Sequence, residues 1–402
     1  MSKFFFGSSI SAHQTEGNNI NSDWWEFELK ELKPIGLDVS NKAANHWEMY
    51  EEDFRLANQL GHNALRFSIE WAKVEPKEGQ IDYQVLDHYK KVLENLSLNK
   101  LTPFVTLFHF SLPKWFAEKG GFENKDNIRH FVNYCKLIGT TFREEIQYII
   151  TINEPEIYAY HSYLIKKWPP LKHSYRTYTK IIKNLAKAHK QAYNDLKSIK
   201  PDFLISVAKN NQVFRPDRPY NIMDKLLSIL LKQKWNFDFL DRVKHQLDFI
   251  GLNYYFYRCV RADFKLASDF CQTSYPTTRK TDINWEVYPK GLYLMIKELD
   301  HRYNKPIIIT ENGVADRQDK LRTDVIKESL YWLFKSKDEG AKVFGYLHWS
   351  LIDNFEWDSG FTPRFGLIKV DYDENFSRSI RPSALIYKNL IKKYLKQIET
   401  NN

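Results

Sequence analysis

Two carboxylates stand at the ends of apolar runs. Ile307, Ile308 and Ile309 lead through Thr310 to Glu311, Asn312 and Gly313, and Ile149, Ile150, Thr151 and Ile152 lead to Asn153, Glu154 and Pro155. An apolar run of this length bounded by Pro or Gly reads as a strand buried on both faces. A Glu at its exit sits at the mouth of a core, where a charge is costly unless it has a partner or a task. Glu154 and Glu311 are so distant in the chain that they can face each other only if their strands share one sheet or barrel. Facing carboxyl groups do general acid/base or nucleophilic work.

The rest of the chain supplies elements that could bring them together. Apolar runs at 4–8, 63–69, 102–109, 149–154, 203–208, 247–255, 306–311 and 343–349 predict eight strands. Between them lie helical patterns with apolar residues three and four apart, such as Trp47, Tyr50, Phe54, Ala57 and Leu60 before Gly61, or Ile128, Phe131, Cys135, Ile138 and Phe142. Strands alternating with helices call for a parallel sheet, and eight such strands close into a (β/α)8 barrel. With no Pro/Gly/Ser linker and no step in composition, residues 1–402 are expected to form one α/β domain. In such barrels the active site lies at the C-terminal ends of the strands. Those exits carry Gln14, Arg66, His109, Asn153 with Glu154, Asn210, Asn253 with Tyr255, Glu311 and Trp349. Residues 9–17 read as a polar loop, and the irregular stretch 254–290 is expected to build the pocket rim.

The chemistry of this set is that of a site for a neutral, polyhydroxylated ligand. Amide and imidazole groups bond hydroxyls, and indoles stack on the C–H faces of a pyranose. No Gly-rich phosphate loop and no His/Cys cluster with metal spacing is present, so no cofactor or metal is expected. Arg66 is expected to pair with Glu311 and keep it ionised.

The net charge of +9 comes from lysines scattered along the chain, as in Lys180, Lys183, Lys187 and Lys190, and not from a basic stripe with interleaved aromatics. Neither a nucleic-acid nor a membrane partner is therefore expected. Three cysteines, Cys135, Cys259 and Cys271, suit a reducing compartment, and Cys135 falls on the apolar face of a helix. The apolar run at the N-terminus is too short for a secretion signal, which predicts a cytoplasmic protein.

Taken together, these residues resemble glycoside hydrolase family 1, the β-glucosidase and β-galactosidase family. The resemblance runs from Phe6–Gly17 to Arg381-Pro382-Ser383. Its most specific pieces are Thr151-Ile152-Asn153-Glu154-Pro155, Ile309-Thr310-Glu311-Asn312-Gly313 and the run from Trp349 to Asn354-Phe355-Glu356-Trp357. It implies a retaining mechanism with Glu154 as acid/base and Glu311 as nucleophile. Arg66, Tyr255 and Asn253 would support the nucleophile. Gln14, His109, Asn153, Glu356 and Trp357 would bond the glycone, and Trp349 would be its stacking platform. Relatives acting on 6-phosphosugars replace the acid at Glu356 with Ser and add a Lys and a Tyr where this chain has Pro363 and Phe365, so the glycone is expected to be unphosphorylated.

The chain departs from the family at Glu156, where many relatives carry Trp, and at Phe110-Ser111, where Trp-Asp is usual. Both places are expected near the aglycone, and Trp168 is a candidate rim residue. The expected activity is removal of terminal β-glucosyl residues, with β-galactosyl and β-fucosyl as side substrates, from small β-glycosides or oligosaccharides. A dedicated β-galactosidase, a transglycosylase and a non-catalytic sugar-binding barrel are the alternatives.

Overall fold

A computed structural model describes residues 3–263, 272–273 and 279–401. The eight apolar runs form β1 (Phe5–Ser9), β2 (Ala64–Ser68), β3 (Thr102–Phe108), β4 (Tyr148–Asn153), β5 (Leu204–Asn210), β6 (Ile250–Asn253), β7 (Ile307–Asn312) and β8 (Val343–Trp349). All pair in parallel with their sequence neighbours, and β8 closes on β1 with Phe5 opposite Gly345 and Ser9 opposite Trp349. The result is the expected (β/α)8 barrel.

Strand alternation decides what faces the barrel axis. On β2, Ala64 joins an inner cluster with Phe5, Phe104, Tyr148, Ile308 and Phe344, while Leu65 and Phe67 pack outward under the helices. Arg66 is in phase with Ala64 and so points inward. The inner cluster plugs one end of the barrel. Phe104 stacks on Tyr148 at 4.3 Å, and Phe5 meets Phe104 edge-on at 5.2 Å. Polar groups on the axis are thereby confined to the C-terminal half.

The helices pack as their spacing predicts. Tyr83–Leu98 begins at Asp82, whose carboxylate accepts from the N–H groups of Gln84 and Val85, and it buries Leu86, Tyr89, Leu93 and Leu96. Ile128–Thr141 buries Ile128, Phe131, Ile138 and Cys135. Cys271 lies outside the described residues. Among the described residues, no helix is long and apolar enough to cross a membrane.

Two segments differ from expectation. The stretch 9–17 is not simply a loop, because Ala12–Thr15 forms a buried helical turn. Side-chain hydrogen bonds draw it inward: Ala12 donates its N–H to Ser68 Oγ at 2.7 Å, and Ser11 Oγ donates to Gln14 Oε1 at 2.7 Å. Within 254–290, Tyr257–Val260 is a strand, parallel to Val213–Pro216 and antiparallel to Gln272–Thr273. Arg258 on this strand lines the cavity at the barrel mouth, as do Ile283 and Trp285 further along the expected rim. Residues 264–271 and 274–278 of that stretch lie outside the described residues.

Candidate active site

The two Glu-bearing strands end irregularly, and the irregularity aims their side chains. On β4 the register against β5 slips between Ile150 and Asn153. Glu154 then adopts left-handed backbone angles (φ 41°, ψ 62°), with its N–H bonded to Ala208 O at 2.7 Å, and Pro155 opens the helix Pro155–Ala159. A non-glycine residue held there costs about 1–3 kcal/mol, a strain typical of functional sites. On β7 the register shifts again before Glu311 and Asn312. A Cβ on Gly313 would lie 1.8 Å from Trp349 O, so glycine is needed for close approach of the two strand ends.

One hydrogen-bond network joins the two carboxyl groups. Arg66 Nη1 donates to Glu311 Oε1 at 2.5 Å and Nη2 to Asn153 Oδ1 at 2.7 Å. Tyr255 OH donates to Glu311 Oε2 at 2.6 Å. Glu154 Oε1 accepts from Asn253 Nδ2 at 2.8 Å and Asn210 Nδ2 at 3.0 Å. Asn253 serves both carboxyl groups, being also among the groups that lower Glu311. Its backbone is registered with Glu311, and its amide donates to Glu154 and Asn153. The reason is Thr310, whose hydroxyl donates to Asn253 Oδ1 at 2.6 Å and turns Nδ2 across the barrel.

These partners separate the two acids electrostatically. Burial pushes Glu154 up to about 8, with the negative Glu311 second, and the amides of Asn253 and Asn210 only partly oppose this. Burial holds Glu311 above its usual range as well, but the Arg66 guanidinium, first, and the Tyr255 hydroxyl limit that rise. Glu154 is therefore the carboxyl that holds a proton at neutral pH, and Glu311 is the one with a cation on it.

A cavity of about 310 Å³ opens over both carboxyl groups. Gln14, His109, Asn153, Glu356, Trp349 and Trp357 all line it. Burial and Arg66 hold His109 well below its usual pKa, so its ring is neutral. Asn153 Oδ1 is taken by Arg66 and Asn253, which leaves Asn153 Nδ2 to donate to His109 Nε2 at 3.1 Å. The proton of His109 is thereby assigned to Nδ1, a buried atom with no hydrogen-bond partner. Gln14 Nε2 donates to Glu356 Oε2 at 3.1 Å and to Asn354 Oδ1 at 3.2 Å. Burial, then Glu311 and Asp358, push Glu356 to about 8. The indoles of Trp349 and Trp357 lie nearly parallel to His109, with centroids 5.9 and 6.2 Å away.

Of the two departures from the family, one lines the cavity and the other does not. Phe110 packs against His109 (5.1 Å) and Trp357 (5.3 Å), among the glycone-binding candidates. Glu156 does not line the cavity. It turns into the core and pairs with Lys209 Nζ at 3.1 Å, with both side chains at most 1% exposed. Trp168 does line the cavity, anchored by a 2.7 Å hydrogen bond from Nε1 to Asp358.

Lys209 was missed by sequence reasoning. Its signal was a lysine one residue before the end of a buried strand. It also donates to Asn210 O at 2.6 Å, just behind the amide that bonds Glu154. Lys209→Met is expected to destabilise the fold by about 1–3 kcal/mol, because burial already pushes Glu156 to about 7 and, without the cation, it must take up a proton and stay buried with no partner. The double variant Lys209→Met/Glu156→Met should recover most of that loss. Urea unfolding of both variants checks this, and equal losses in the two would refute the pairing.

The sequence model of glycosyl hydrolase family 1 matches residues 1–243 and 232–395. Beta-glucosidase A of Thermotoga maritima is 28% identical, over 97% of both chains, and the 1,4-beta-D-glucan glucohydrolase of Thermotoga neapolitana matches equally well. The solved beta-glycosidase from Pyrococcus horikoshii superposes with a TM-score of 0.90 at 35% identity, covering 98% of this chain and 96% of that one. Matches that run the length of the barrel, around a paired-carboxyl site at its mouth, show that this chain belongs to glycosyl hydrolase family 1 and is a β-glucosidase-type glycoside hydrolase.

Proposed function

We propose that the protein is a retaining exo-β-glycosidase. It removes terminal non-reducing β-D-glucosyl residues, and β-galactosyl and β-fucosyl residues as further substrates, by double displacement. Glu311 attacks the anomeric carbon while Glu154 gives its proton to the departing oxygen. Water, deprotonated by Glu154, then releases the sugar from Glu311. The observation that carries this reading is the asymmetry of the two carboxyl groups. Glu154 is pushed to about 8 and bonded only by amides, whereas Glu311 is clamped by Arg66 and Tyr255.

The same asymmetry explains the exchange of roles. The charge on Glu311 is the second-largest cause of the raised Glu154 pKa. Forming the glycosyl ester removes that charge, so Glu154 ionises more easily when a base is needed. Gln14, His109, Asn153, Glu356 and Trp357 are the proposed hydroxyl partners, with Trp349 as platform. Glu356, with Pro363 and Phe365 where 6-phosphosugar relatives add a Lys and a Tyr, favours a plain glycone. The names of the relatives, β-glucosidase above all, support glucose as the first choice. We place the activity in one catalytic domain, residues 1–402. Cys135 is a free, buried thiol, which fits a reducing, cytoplasmic setting.

Proton NMR in D₂O during hydrolysis of p-nitrophenyl β-glucoside and β-galactoside tests the proposal. The β-anomer of the free sugar should appear first, with the α-anomer growing only at the rate of mutarotation. Initial release of the α-anomer would rule out double displacement. Binding of glucose analogues without hydrolysis of either substrate would favour a non-catalytic barrel.

A further inference from the structure

Asn210 holds Glu154 from one side, and Asn210 is itself held from behind. An amide side chain has a donor end and an acceptor end of nearly the same shape, so the end that faces Glu154 is decided by what the other end meets. Gln212 Nε2 donates to Asn210 Oδ1 at 2.9 Å, and Trp235 Nε1 reaches the same oxygen at 3.4 Å. Gln212 is 1% exposed and does not line the catalytic cavity.

The direction of this bond is fixed one step further back. Gln212 Oε1 accepts from Arg258 Nε. A guanidinium has donors and no acceptor, so it can face only the oxygen end of Gln212. That turns Nε2 toward Asn210, which must answer with its oxygen, and Asn210 Nδ2 is left to donate to Glu154 Oε1 at 3.0 Å. The backbone of Gln212 is held separately. Its N–H donates to Asn236 Oδ1 at 3.0 Å, and its carbonyl accepts from Asn236 Nδ2 at 2.8 Å. Arg258 is placed by the pairing of Tyr257–Val260 with Val213–Pro216, which sets it opposite Phe214.

The polarity of this relay bears on where the proton of Glu154 sits. Asn253 Nδ2 and Asn210 Nδ2 both donate to Oε1. An oxygen that accepts two hydrogen bonds has both lone pairs occupied, so the proton goes to Oε2. A reversed Asn210 would present Oδ1 instead. It would draw the proton to Oε1, away from the departing oxygen, and it would favour the protonated form, because the carboxylate would lose a donor.

We propose that Gln212 is a positioning residue for the acid/base step: held by Arg258, it fixes the orientation of Asn210 and so keeps the transferable proton on Oε2 of Glu154. The inference rests on the role proposed for Glu154. It adds no group to the reaction, in which the proton passes from Oε2 to the departing oxygen as the glycosidic C–O bond breaks.

Gln212→Glu tests this. It keeps a partner for Arg258 but offers Asn210 only acceptors, so Asn210 should turn over. Its kcat/KM for hexyl β-glucoside should fall about tenfold, the worth of one hydrogen bond, whereas 2,4-dinitrophenyl β-glucoside, whose leaving group needs no proton, should keep its value. The alkaline limb of the hexyl glucoside profile should move up by about 1 pH unit. Gln212→Met, of similar length, removes the restraint without adding a charge and should move both readouts the same way. Glu311, Arg66, Tyr255, Lys209 and Glu356, the other titratable or charged groups around Glu154, are untouched in both variants.

In an Asn210→Ala background neither variant should lower the hexyl glucoside value further, because the relay has lost its last member. Unchanged readouts in the folded variants, or equal losses with and without Asn210, overturn the proposal. If melting curves show that Gln212→Met does not fold, Gln212→Glu decides alone. Glu154→Gln is the control. If it keeps the alkaline limb, the role of Glu154 fails and this inference falls with it. If it loses the limb while the Gln212 variants behave as wild type, only this inference fails.

Discussion

Glu311→Ala is expected to lower kcat/KM for p-nitrophenyl β-glucoside on the order of 10⁵-fold, the scale seen when a covalent nucleophile is deleted. No other group takes over. Arg66 is a cation, burial above all pushes the Tyr255 hydroxyl well above its usual pKa, and Glu154 is held across the barrel by Asn253 and Asn210. The deletion also leaves the Arg66 guanidinium in a buried site with Asn153, Thr106 and Thr310 O as its remaining partners. Some loss of stability is therefore expected alongside, and circular dichroism with a melting curve separates it from the chemical defect. Azide is small enough to enter the space left by the carboxylate. It should attack the anomeric carbon directly and turn a β-glucoside with a good leaving group into the α-glucosyl azide. A variant that keeps more than about 1% of its activity without azide would remove Glu311 from the role proposed for it.

Much of this site was legible in the sequence because the barrel converts strand order into spatial order. Once Ile307–Asn312 and Tyr148–Asn153 are recognised as buried strands, their terminal acids have one place to go. Arg66 was read as a strand-exit partner for Glu311, and the structure turns it to the axis in phase with the inward-facing Ala64. What could not be read was the aim of individual amides. The turn of Asn253 toward Glu154 depends on a hydroxyl from the adjacent strand, Thr310, and no spacing rule encodes such a cross-strand bond.

Glu156 failed for a different reason. Placed two residues after Glu154, it reads as another rim acid. Its burial depends on a lysine more than fifty residues later, and the pairing is visible only when β5 lies beside β4. The rim was legible only as a location. The strand Tyr257–Val260 carries no strong periodicity, and it is ordered by pairing with Val213–Pro216 and Gln272–Thr273. The helix Ile222–Lys232 is the converse case. Its apolar residues recur at helical spacing, which alone implies a face turned toward the core, but the structure turns Ile222, Met223, Leu226, Ile229 and Leu230 outward.

Glu154→Ala should separate the two half-reactions that Glu311→Ala abolishes together. Protonation of the leaving oxygen matters in proportion to its basicity, so alkyl β-glucosides should lose about 10²–10⁴-fold in kcat/KM. 2,4-Dinitrophenyl β-glucoside, whose leaving group needs no proton, should lose little in that constant. Its kcat should still fall, because no base activates water for the second step and the glycosyl-enzyme accumulates. Azide should relieve that block by attacking the intermediate, and a second inversion gives the β-glucosyl azide. The stereochemistry is opposite to that expected from Glu311→Ala, which makes the pair of variants diagnostic.

The pH profile gives a separate check on the same residue. Burial and the charge of Glu311 raise Glu154 to about 8, so the proton-bearing form persists through neutral pH and is lost as pH rises through that value. Wild-type kcat/KM for an alkyl glucoside should therefore fall on the alkaline side with a midpoint near 8, and Glu154→Gln should lack that limb. If the alkaline limb survives in Glu154→Gln, another titrating group controls it. Glu356 is the first to examine, because burial and the same negative Glu311 raise it to about 8 as well. Glu356→Gln tells the two apart. It should weaken glycone binding and raise KM while keeping the alkaline limb, because Glu356 lies beside Gln14 and outside the Asn253–Asn210 clamp that holds the acid.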